Sequence, residues 1–167
     1  MYAFNFPQRL LIVGMTGLIN LVLTVLSVIT PYWIIFKSAI PNASGHIGLA
    51  PYRSFWPSWL QTSACFMYIT FATFLPIIVL YLYTYFMIMK HGIGRRNRLF
   101  FTIIHYLFYV ITCFQMVAFA SSAIGCAQHP KDQSWKLGFS AYFSLASFII
   151  SVIPGSFATI IAKQDCR

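Results

Sequence analysis

Four long apolar runs divide the chain, at about 10–29, 60–89, 99–124 and 138–162, and polar or basic segments separate them. A helix needs about 20 apolar residues to cross the hydrocarbon of a bilayer, so each run predicts one transmembrane helix. The first stops at Thr30-Pro31 without an internal charge. It is longer than the ~7–15-residue apolar stretch of a cleaved signal and lacks a small-residue cleavage site, which predicts a retained span. Pro76 in the second run and Pro154-Gly155 in the fourth each withdraw a backbone donor and predict a bend.

The segments between the runs differ in character. Residues 31–59 are polar and aromatic, with Trp33, Trp56 and Trp59 toward their two ends. Tryptophan collects where hydrocarbon meets headgroups, which predicts anchors at the edges of an outer loop. Trp33, Arg53, Trp56 and Trp59 are also the loop residues placed to meet a partner. Residues 90–98 form a short turn with Lys90, Arg95, Arg96 and Arg98, and 125–137 a second loop too short for a domain of its own.

Composition agrees with a membrane protein of one domain over 1–167. Apolar residues make up 59% of the chain and aromatic residues 19%, with mean hydropathy +0.76, more apolar surface than a soluble unit of this size could hide. The fold class expected is an all-α four-helix transmembrane bundle, with a larger first outer loop that has room for a small β element. The net charge of +9 rests on eleven Lys and Arg against two acids. Because the cations flank apolar runs, membrane lipid is their expected counter-charge and no nucleic-acid partner is expected.

The same cations orient the chain. Seven lie on the side that holds both termini and the 90–98 turn, and four, Lys37, Arg53, Lys131 and Lys136, lie on the other. The positive-inside bias predicts cytosolic termini and two outer loops. Asn42-Ala43-Ser44 is an N-glycan acceptor pattern in the first of those loops, consistent with that orientation. The acid-free stretch with Lys37, His46 and Arg53 would offer a positive outer surface to anions or an acidic partner.

Little in the spans can do chemistry. None contains Asp, Glu, Lys or Arg, the residues on which pumps, proton-coupled carriers and voltage sensors rely. Asn20, Thr70, Thr73, His105 and Gln115 are polar interior positions expected to hydrogen-bond between helices. His105 near the basic turn could reach a headgroup or a backbone carbonyl. No His/Cys set has metal-ligand spacing, and no nucleophile has a base beside it. An enzyme, a cofactor and a metal are therefore not expected; a carrier would have to use a crevice of His105, Gln115 and Tyr85.

The fourth run carries the clearest periodicity. Ser140, Ser144, Ser147, Ser151, Gly155, Ala158 and Ala162 recur at intervals of three and four, which gathers small side chains on one helix face. In lipid such a face packs against another helix, of this chain or of a neighbour. Phe143, Phe148 and Ile149 occupy the opposite face. Of the four cysteines, Cys126 could pair with Cys65, link two chains or stay free, and Cys166 has the setting of a reversible acylation site.

The four spans, the longer first loop, Pro31-Tyr32-Trp33 leaving the first span and Leu137-Gly138-Phe139-Ser140-Ala141-Tyr142-Phe143 entering the fourth resemble the claudin superfamily. That superfamily includes peripheral myelin proteins and the calcium-channel gamma and AMPA-receptor regulatory subunits. The resemblance implies a divergent, invertebrate-type claudin-like protein of the plasma membrane, at cell contacts, acting by association with other membrane proteins or copies of itself. It also implies two roles: organising a junction or adhesion, or serving as an auxiliary subunit of a channel or receptor. Claudins carry Gly-Leu-Trp and then two cysteines in the first loop; here Gly48-Leu49 precedes Ala50 and the loop has no cysteine, which implies a smaller outer sheet.

Overall fold

The computed structural model describes residues 5–37, 44–53, 56–128 and 134–165. Asn42 and Cys166 lie outside these residues. The four apolar runs form helices α1 (Phe6–Ile29), α2 (Ser58–His91), α3 (Arg95–Gln128) and α4 (Phe139–Ile160), and α4 continues as a wider π turn, Ile161–Asp165. All four are long and apolar enough to cross a membrane.

Local chemistry explains how these helices hold in lipid. Gln8 accepts the Asn5 N–H at 3.1 Å at the start of α1, and Gly92, at φ 76°, ends α2 just after Lys90 and His91. Threonine hydroxyls turn back on the carbonyl one turn earlier, as Thr16 does to Ile12 at 2.6 Å and Thr73 to Ile69 at 2.8 Å, so they need no water. Pro76 and Pro154 lie inside unbroken helices.

Around the bundle α1 packs on α4, α4 on α3 and α3 on α2. Toward the basic end α1 and α2 leave an apolar cleft of about 320 Å³ beside Gly14, Gly17, Phe74 and Tyr81. The small-residue face of α4 is consumed within this chain: Ser140, Ser144, Ser147, Ser151, Gly155 and Ala158 are all buried. Ser27 donates to the Ser140 carbonyl at 2.9 Å, and the Thr112 and Ser151 hydroxyls meet at 2.6 Å. Ser144 approaches the Met67 sulfur at 3.6 Å.

Length explains where the sheet is built. At 1.5 Å per residue, the 34 residues of α2 and of α3 extend about 51 Å, well beyond the ~30 Å of hydrocarbon, whereas α1 extends about 36 Å. α1 begins beside Ile88 and Met89 of α2, so the surplus of α2 and α3 stands at the opposite end. There it carries an antiparallel sheet of order β2-β1-β3, with β1 Ile34–Lys37, β2 Ser44–Ile47 and β3 Ser134–Leu137. The second loop is too short to fold alone but supplies the strand that joins it to the first.

At the other end Arg9 bridges Asp165 at 3.1 Å and also donates to Gln164 at 3.0 Å, which ties the start of α1 to the end of α4. The α2–α3 turn lies at this same end, since Ile93 lines a groove with Phe6 and Pro7.

Candidate functional site

The sheet end is where this chain presents a built surface. β1 reads Ile34-Ile35-Phe36, and pleating sends alternate residues to opposite faces. Ile34 is paired in register with Ile47 on one side and Leu137 on the other, and it is fully buried over α2 and α3. Ile35, one residue on, pairs with His46 and Lys136, and all three face outward. Phe36 returns to the inner face, lies over Gly45 and stacks on Trp135 at 5.8 Å.

Trp33 locks this sheet to the bundle. Its side chain is fully buried and its indole N–H donates to Ser122 of α3 at 2.8 Å; Ser122 in turn meets Ser63 of α2 at 2.7 Å. Its backbone N–H donates to Ile47 at 3.0 Å and its carbonyl accepts from Gly138 at 2.8 Å. One residue thereby joins both sheet-forming loops and two helices. Gly138 is required by this approach, because a Cβ there would overlap the Tyr32 carbonyl.

The residues read from the sequence as a partner surface thus separate. Trp33 serves the core rather than a partner. Trp56 is 7% exposed, and the Gln61 amide donates to its carbonyl at 2.7 Å. Arg53 is exposed and, with Trp56, borders a crevice of about 470 Å³ that His46 and Phe36 also line. Trp59 is half-buried and meets the edge of Trp135 at 5.9 Å. Trp59 is thus an inner-face contact, whereas Arg53 stays on the exposed rim of that crevice.

What the sequence reading missed is the pairing that makes that surface. Tyr32 stacks on His46 at 4.4 Å and lies 4.8 Å from the Phe139 ring. Together with Ile35 and Lys136 they form an aromatic and cationic patch at the mouth of the bundle. The alternation of β1 was available as a signal, but four residues are too few to distinguish a strand from a loop, and β3, one of its two partners, comes from a segment far away in sequence.

In the bundle interior Ser147 gathers three helices. The Gln115 amide donates to Ser147 at 2.7 Å and to Thr24 at 2.9 Å, and Ser147 contacts the Asn20 side-chain oxygen. Asn20 Nδ2 and Gln115 Oε1 are the buried polar side-chain atoms without a partner among the described residues. His105 Nδ1 lies 3.0 Å from the Gly155 carbonyl. Cys65, Cys113 and Cys126 are free thiols, and among the described residues no three His, Cys, Asp or Glu side chains gather as a metal site.

A four-helix membrane bundle whose α1–α2 and α3–α4 loops share one sheet, entered through Pro31-Tyr32-Trp33, is the context in which a family match is informative. The family model described as "Tight junction protein, Claudin-like" matches residues 1–167. The chain belongs to that claudin-like family. No curated protein matches it. As a claudin-like protein it is a multi-pass integral membrane protein of cell contacts, with a tight-junction-like tetraspan role, in a family of structural rather than enzymatic proteins.

Within this claudin-like frame the departures acquire a physical reading. The first loop has no cysteines with which to staple its strands. Leu49 of the truncated Gly48-Leu49 motif is fully buried instead, and the Tyr68 hydroxyl of α2 donates to its carbonyl at 2.6 Å. Trp33–Ser122 and Tyr68–Leu49 fasten the sheet to α3 and α2 by hydrogen bonds.

Proposed function

We propose that this claudin-like protein organises a cell junction by association through its sheet end, laterally between copies in one membrane or across the contact. The observation that carries this reading is the outward patch of Tyr32, Ile35, His46, Lys136 and Phe139, in which a hydrophobic centre is exposed rather than buried. Ile35 is 37% exposed and Phe139 47%. Aromatic side chains with a cationic rim are the composition that protein interfaces favour. Strands β2 and β3 each keep one edge unpaired within the sheet, where a neighbour's strand could add.

The test is expression of the tagged protein in contact-forming cells, comparing the wild type with the double variant I35D/K136E. The wild type is expected to concentrate at contacts and lower tracer flux between cells. The variant is expected to reach the surface at the same level and to lose the effect on flux. Even spread of the wild type over the surface with unchanged flux would remove this reading.

A second reading, an auxiliary subunit of a channel or receptor, draws on α4. Its face opposite the serines exposes Tyr142, Ile149, Val152 and Ile153 along the membrane, a surface that suits a pore-forming partner as well as lipid. Isolation from the native membrane in mild detergent separates the two. Stoichiometric recovery of pore-forming subunits would favour the auxiliary role, and recovery of the protein with itself or with adhesion proteins the junctional one.

A further inference from the structure

At the basic end, α3 and the end of α4 enclose a crevice of about 250 Å³ that the junctional reading does not use. Arg98 and Thr102 reach it from the first turns of α3, His105 and Tyr106 from the next, and Thr159 and Lys163 from the facing chain. Its volume is below the ~300–1,000 Å³ of pockets for drug-sized molecules and suits a small polar group.

The charge in this crevice is unbalanced. Asp165 is the sole side-chain carboxylate among the described residues and is held by Arg9 at 3.1 Å. Arg98 and Lys163 are both exposed and have no carboxylate partner among the described residues. Arg95 lies outside the crevice lining, one turn before Arg98 on the same helix, and adds to the positive charge nearby.

The neutral groups point to the same ligand. The Gly155 carbonyl accepts from Thr159 at 3.2 Å and lies 3.0 Å from His105 Nδ1. A carbonyl oxygen only accepts, so His105 Nδ1 carries the proton, and Nε2 is the nitrogen left for the crevice. From Arg98 to His105 is about 10 Å along the helix axis, at 1.5 Å per residue, comparable to the step from headgroup to acyl chain at a bilayer edge. Tyr106 and Tyr109 next to it are each 63% exposed on the lipid side.

We propose that this crevice binds the phosphate of one anionic phospholipid, held between Arg98 and Lys163, with its glycerol region toward Thr102 and His105 and its acyl chains along Tyr106. Lipid is the source, rather than free phosphate, because the crevice opens beside lipid-facing side chains and the cations stand where those side chains end. The placement explains why cations on two helices converge without acids to pair them.

The full chain, purified in mild detergent, is titrated with dioleoyl phosphatidylserine or with dioleoyl phosphatidylcholine, and bound lipids are counted by native mass spectrometry. One phosphatidylserine per chain is expected to bind in preference to phosphatidylcholine. A cation near an anionic headgroup contributes about fivefold, so R98Q/K163Q is expected to reduce phosphatidylserine affinity about thirtyfold. The charge-matched K90Q/R96Q, which removes two cations away from the crevice, is expected to change it less than about threefold. Equal losses in both variants would overturn the site in favour of diffuse surface charge. Retention of inorganic phosphate without lipid would overturn lipid as its ligand. Monodisperse elution of both variants, with unchanged helical content, shows that they fold.

Discussion

Ser147 illustrates how a single small residue specifies this bundle. Hydrogen bonds between helices in lipid contribute about 0.6 kcal/mol on average and reach about 1.7, so a residue that holds two partners counts in proportion. Gln115 donates twice, to Ser147 and Thr24, whereas Asn20 meets Ser147 through one oxygen and leaves its Nδ2 unpaired. We therefore expect Gln115→Leu to destabilise the protein by about 1–2 kcal/mol and Asn20→Leu by less than about 1 kcal/mol, because each removes one unpaired atom but the first gives up two bonds between helices and the second one. Thermal unfolding in detergent checks the order, and a larger loss for Asn20→Leu would contradict it. At this scale the sequence was informative where spacing carried the information. The serines of α4 recur at helical intervals, and one face follows from the intervals alone. That they meet Asn20, Thr24, Thr112 and Gln115 of the same chain required knowing which helices are neighbours, which no local pattern states.

At the scale of elements, the helices were legible and the sheet was not. An apolar run of twenty residues outweighs any local preference in lipid, since every backbone group must be satisfied within the segment. The three strands have four residues each, and β3 joins β1 across about 100 intervening positions, so the expectation went no further than room for a small β element in the first loop. Trp33 shows the cost of that blindness. Its type and place fit a membrane-edge anchor, yet here it fills the junction between sheet and helices. Two substitutions separate its roles. Trp33→Phe keeps most of the volume and gives up the bond to Ser122, while Ser122 keeps its contact with Ser63; the expected loss is about 1 kcal/mol. Trp33→Ala empties the site, with an expected loss of about 3–5 kcal/mol. Protease protection of the sheet-forming loops should follow the same order. Equal, small effects from both would mean that the sheet is held elsewhere.

For the whole molecule, one sheet built from both loops turns orientation into a single question. If residues 44–47 face outward, so do 134–137, because both pair with β1. The 90–98 turn and the Arg9–Asp165 bridge must then face the cytosol, since α2 and α3 each cross once between the ends. The cation count favours this orientation. Asn42 adjoins β2 in sequence, so a glycan there would report on the whole arrangement. We expect Asn42→Gln to abolish a glycosidase-sensitive mobility shift, and a glycan acceptor introduced into the 90–98 turn to remain unmodified in cells. Modification of the turn with none at Asn42 would invert the protein. The outward patch would then face the cytosol and could not touch an opposing cell, whereas the Arg98–Lys163 crevice would remain a lipid site in the other leaflet. Orientation is thus the measurement on which a role across the contact depends and the lipid proposal does not.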